Sequence, residues 1–177
     1  EAETIFHEAL AADAGRAQAR IGLAVVDLLR GEHGQAERRL RAAIESGPRH
    51  ANLYSILSLS LFAQERSAEA VPYAERAWEM TRSHSAAVEL AWALIDGDVD
   101  VERGLELART ARDEISPHPE EKLWTLPFTP SPEHCIGLAH LKQGRAAEAV
   151  SALEEAARLR PDRKRITADL ERARRLL

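Results

Sequence analysis

Three aspartates at alternate positions, Asp96, Asp98 and Asp100 in the stretch DGDVD, stand where a calcium loop places its first, third and fifth ligands. Such a loop needs glycine at its sixth position and a bidentate glutamate at its twelfth. Those positions hold Val101 and Leu107, so the stretch reads as an inter-helix turn whose last aspartate caps the next helix. A second cluster, His134, Cys135 and His140, offers metal-binding and nucleophilic side chains. Its two histidines fall on different faces of a helix, whereas zinc needs three or four convergent ligands. A Cys135–His140 pair fails as a nucleophile and base for the same reason, and no third residue orients the imidazole. No glycine-rich phosphate loop is present. We therefore expect no metal, no cofactor and no catalytic residue, and read the chain as a non-enzyme.

A third cluster is basic: Arg158, Arg163, Lys164, Arg165, Arg172, Arg174 and Arg175 crowd the last twenty residues. Asp162, Asp169 and Glu171 interrupt it, which suits a solvated helix better than a nucleic-acid or anionic-lipid surface. The net charge of −5 over 177 residues agrees. No apolar run approaches the roughly 18 residues of a membrane span, so no membrane insertion is expected. Cys135, the single cysteine, excludes an internal disulfide and leaves the compartment undecided, with the cytoplasm favoured. The first residue is Glu1 rather than Met, and no signal peptide opens the chain. The expectation is the C-terminal part of a larger protein.

The elements that would carry these side chains are helices. The chain is 45% apolar but only 5% aromatic, rich in Ala, Leu, Arg and Glu and sparse in β-branched residues, a helix-forming composition. Its helices come in repeats. GEHGQAERRLRAAIESGP (31–48) and GRAAEAVSALEEAARLRP (144–161) share small and apolar residues at the same offsets, with Gly31, Ala36, Leu40, Ala43 and Pro48 matching Gly144, Ala149, Leu153, Ala156 and Pro161. A 34-residue period counted from Ala17 gives units 17–50, 51–84, 85–118 and, after eleven extra residues (119–129), 130–163. Alanines such as Ala24 and Ala36 sit where two antiparallel helices must cross at roughly 8–10 Å. Leu23 and Leu40 supply the apolar knobs, Gly31 permits a left-handed cap, and Pro48 stops the second helix. Residues 1–16 carry Ala2, Phe6 and Ala9 at second-helix positions, and 164–177 reads as a capping helix with Ile166, Leu170 and Leu177 inward.

This pattern resembles the tetratricopeptide repeat, across nearly the whole chain. The resemblance implies an all-α fold, a right-handed α-solenoid of stacked antiparallel helix pairs forming one domain. Asp27 and His140 depart from it at the eleventh position, where Tyr or Leu is usual, and Trp92 follows Ala91 where a large residue should precede a small one. That third unit is expected to be locally shifted.

In such a stack the first helix of each unit lines a concave groove. The residues so placed include Ile21, Val25, Leu28, Asn52, Leu59, Phe62, Glu89, His134 and Leu138. They imply a protein or peptide partner, an amphipathic helix or extended segment, laid in the groove. One subfamily grips chaperone tails with a Lys-Asn carboxylate clamp. Ile21, Val25, Ile56, Ala86 and Leu90 occupy the clamp positions here, so chaperone-tail binding is disfavoured. The alternatives are a structural spacer, a homo-oligomer formed through Phe6 and Leu10 of the uncapped first helix, or a regulatory arm of an upstream enzyme. The 119–129 insertion, with Trp124 inside a proline-rich stretch, is expected to fold against the convex or edge surface rather than plug the groove.

Overall fold

The structure, a computed structural model, describes residues 17–46, 50–114 and 129–177. Phe6, Leu10 and Trp124 lie outside them. The described residues form nine helices and no strand: α1 (Ala17–Leu29), α2 (His33–Ser46), α3 (Ala51–Phe62), α4 (Ser67–Thr81), α5 (His84–Asp96), α6 (Val101–Asp113), α7 (Pro132–Lys142), α8 (Ala146–Leu159) and α9 (Lys164–Arg174). Each helix packs on the next in sequence, as short connections demand. The odd-numbered helices also touch one another along the stack, α1 with α3, α3 with α5, α5 with α7 and α7 with α9. The even-numbered helices make no comparable contact among the described residues. A stack bends towards the layer whose members lie closer, so the odd helices line the inner curve.

Short polar residues start several helices. The Ser83 hydroxyl accepts from the Ala86 N–H at the head of α5, Ser131 from His134 N–H at α7, and Asp100 from Arg103 N–H at α6. Asp100 is thus the cap that DGDVD leads one to expect. The turn inside each pair uses one left-handed residue: Gly31 (φ +80°), Glu65 (+58°), Asp98 (+58°) and Gly144 (+72°). Glycine takes this conformation freely, whereas Glu65 and Asp98 carry a steric cost of roughly 1–2 kcal/mol each.

Helix crossings explain the small residues. A Cβ on Gly104 of α6 would sit 2.5 Å from Ile95 Cγ1 and 3.0 Å from the Ala91 carbonyl oxygen, and one on Gly137 of α7 would sit 2.5 Å from Leu153 Cγ of α8. Ala91, not Trp92, is therefore the small residue at the α5–α6 crossing. The first helix of the third unit runs one residue early, starting at His84, and α6 regains the 34-residue register. Leu23, Leu40, Leu57, Leu94 and Leu153 are fully enclosed in the core between the layers. Burying one such side chain contributes about 1.5–3 kcal/mol.

The cap is α9, which buries Ile166, Leu170 and Ala173. Leu177, expected inward, is 76% exposed. It lies beyond the end of α9, and Ala173 takes the third inward place.

Candidate functional site

Each residue expected along the groove belongs to an inner helix, but most point between helices rather than out of them. Leu28, Leu59, Phe62 and Leu138 are buried in the core, and Glu89 and His134 are buried polar residues. An exposed apolar floor through Leu28, Leu59 and Phe62 is thus ruled out. The reason is the contact between successive odd helices, which closes over these positions. Ile21 and Val25 stay half-exposed and Asn52 exposed, so the open stretch of inner face lies on α1 and α3.

The one-residue shift of α5 changes what faces inward. Glu89 turns aside and accepts a 2.6 Å hydrogen bond from Ser55 Oγ of α3, while Trp92 moves to the groove position. Around Trp92 the inner face becomes an interlocked cluster. The Phe62 ring meets Trp92 edge-on at 6.5 Å, and the His134 ring lies tilted at 4.8 Å. The Arg165 guanidinium from α9 stacks 5.0 Å from the Trp92 ring centre. Arg165 also bonds Asp96, and His134 Nε2 lies 2.8 Å from Asp169 Oδ2 of α9. The capping helix is thereby tied to the third repeat through Trp92 and Asp96 and to the fourth through His134.

Beside this cluster the structure holds a pocket of about 250 Å³. Phe62, Trp92 and His134 form one wall, Thr129 and Ser131 the approach to α7, and Arg160, Arg163, Lys164 and Arg165 the wall contributed by the α8–α9 turn. Asp162 is its acidic residue. Burial, and then the neighbouring Arg160, pull the Arg163 guanidinium below its ordinary pKa, against Asp162. Burial is the larger cause, and the like charge of Arg160 adds to it. Sequence reasoning missed Trp92, Arg160 and Thr129 here and took Arg163–Arg165 for solvated charge. The available signal was RPDRKR (160–165), four cations in six residues at the end of a repeat.

The other candidate chemistry disperses. Asp96 accepts from Ser67 and Arg165, Asp98 pairs with Lys142, and Asp100 caps α6. Cys135 is enclosed 3.9 Å from the Val88 carbonyl oxygen, where burial pushes its thiol far up. Among the described residues no three His, Cys, Asp or Glu side chains gather as metal ligands, and no helix is long and apolar enough to cross a membrane.

Helix pairs repeated along one axis, with a continuous inner layer and a terminal cap, define an α-solenoid interaction scaffold. Sequence comparison narrows the class: tetratricopeptide-repeat profiles match residues 1–59 and 136–175, together more than half of the chain. The chain belongs to the tetratricopeptide-repeat family. No curated protein sequence matches it. Among solved structures it is similar to YrrB, described as a TPR protein with an unusual peptide-binding site, at a TM-score of 0.64 and 18% identity over 94% of this chain and 80% of that one. It is also similar to PilF of Pseudomonas aeruginosa, at a TM-score of 0.62 and 19% identity over 90% of this chain and 72% of that one.

Proposed function

We propose that this protein is a non-catalytic module that binds a peptide or helix of a partner protein on the inner face of its stack. The observation that carries the reading is that Ile21 and Val25 on α1 are half-exposed and Asn52 on α3 is exposed, on two inner helices that touch, so that this part of the inner face offers both apolar contact and an amide. An amide that can donate and accept suits a polypeptide backbone. The peptide-binding site of the structurally similar YrrB supports the same ligand class.

The test is capture of partners by the wild type and by Val25→Arg with Asn52→Arg, both checked for helix content by circular dichroism. Loss of the captured proteins in the variant is expected. An unchanged set would refute binding on this strip.

A further inference from the structure

The pocket at the far end of the inner face carries a second, more specific reading. Four cations line it against one carboxylate, Asp162. Arg165 is already matched, by Asp96 at 2.5 Å and more distantly by Asp169 at 3.9 Å. Arg160 and Lys164 have no ion pair among the described residues. Thr129 is one of the residues lining the same pocket, and its Oγ1, turned away from solvent, has no hydrogen-bond partner. A buried hydroxyl left unbonded costs about 1–3 kcal/mol, which a turn of the Thr129 side chain towards an anionic oxygen in the pocket would relieve. Surplus cations and an unused hydroxyl donor both call for an acceptor bearing negative charge.

Size and shape narrow the occupant. About 250 Å³ falls below the roughly 300–1,000 Å³ of sites for drug-sized molecules, and is suited to a side chain delivered by a longer ligand. The Trp92 ring is only 5% exposed, packed against Arg165, Phe62 and His134, which leaves no open aromatic platform on which a nucleic-acid base could stack. We propose that the pocket receives the carboxylate side chain of an acidic segment in a partner polypeptide, with Arg160 and Lys164 supplying charge and Thr129 a hydrogen bond. This rests on the protein-binding reading above and adds to it a preferred ligand chemistry at a separate place.

Fluorescence anisotropy with labelled, C-terminally amidated decapeptides alternating Glu with Ala, or Gln with Ala, tests it. The Glu peptide is expected to bind at least tenfold more tightly than the Gln peptide. Arg160→Glu with Lys164→Glu should abolish that difference, Arg160→Gln with Lys164→Gln should reduce it, and Thr129→Val should weaken the Glu peptide several-fold, all with unchanged helix content. Equal binding of the two peptides would overturn the proposal, as would indifference to the charge reversal. A strict need for a free C-terminus would also overturn it, and so would saturation by inorganic phosphate with no preference for the Glu peptide. If Val25→Arg with Asn52→Arg removes captured partners while the pocket variants leave peptide discrimination untouched, the pocket fails and the inner-face reading stands. The reverse result removes the inner-face strip and keeps the pocket.

Discussion

Replacing Gly137 with alanine tests the packing that builds the stack. The new Cβ would lie 2.5 Å from Leu153 Cγ, 2.8 Å from its Cδ2 and 3.2 Å from its backbone nitrogen. Leu153 is fully buried, so its side chain has no free space to enter, and its backbone belongs to α8. Relief requires α7 and α8 to separate. Overpacking of this kind costs about 1–3 kcal/mol, while alanine returns ~1 kcal/mol of helix propensity, leaving a net loss of roughly 0–2 kcal/mol. For a chain of this length a loss at the upper end lowers Tm by about 4–8 °C. Gly34 of α2 is the matched control, because an added Cβ there meets only Arg38 Nη1 at 3.8 Å. Gly34→Ala should gain up to ~1 kcal/mol. Urea unfolding followed by far-UV circular dichroism measures both. Leu153→Ala in the Gly137→Ala background should cost less than the sum of the two single changes, the coupling expected of residues in contact. If Gly137→Ala gained as much stability as Gly34→Ala, close approach of α7 and α8 could not be the reason for that glycine.

Two further predictions concern departures from the repeat pattern, and a third concerns the buried thiol. Asp27 is 3% exposed and bonds Arg39 at 2.9 Å, so Arg39→Ala should cost about 1–3 kcal/mol in urea unfolding by leaving a buried carboxylate short of its partner. Asp27→Leu with Arg39→Leu should recover most of that loss. Burial, and then Arg145 and Arg109, hold the His140 pKa below its ordinary 6.5. The unfolded chain therefore binds a proton the folded chain resists, and this contribution to stability is lost as pH falls from about 6.5 towards the lower folded value. His140→Leu should remove that part of the pH dependence, so the urea-midpoint difference between the variant and the wild type should widen in the variant's favour from pH 8 to pH 5.5. The Cys135 thiol, enclosed and shifted up by burial, should resist a thiol-reactive dye at pH 8 and react within the unfolding transition; fast labelling of the folded chain would contradict its burial.

Much of the fold was legible in the sequence because the repeat imposes one steric rule at fixed intervals. Ala24, Ala36, Ala70, Ala108 and Ala149 announce helix crossings whatever surrounds them, and all five are fully buried or nearly so in the structure. The candidate site was less legible. Position within a repeat says which helix a side chain rides on, but not whether the neighbouring helix covers it. Leu59 and Leu138 look like a groove floor in the sequence and prove to be core. The register of α5 shows the same limit: Leu90-Ala91-Trp92 satisfies the large-then-small rule one residue early, and only the Ile95–Gly104 contact decides between the two readings.

The sequence by itself therefore determined the class of the molecule, a stack of helix pairs with Asp100 as a cap and Gly31 and Gly144 as left-handed turns. These depend on local geometry and on a period that survives in one dimension. Only the tertiary structure decided that Trp92 faces the inner curve and that Arg165 of the capping helix lies against it. It also decided that the cations of 160–165 share a pocket with Phe62, nearly a hundred residues upstream. Such meetings depend on how tightly successive repeats close together, a property of packing between elements that no single helix encodes.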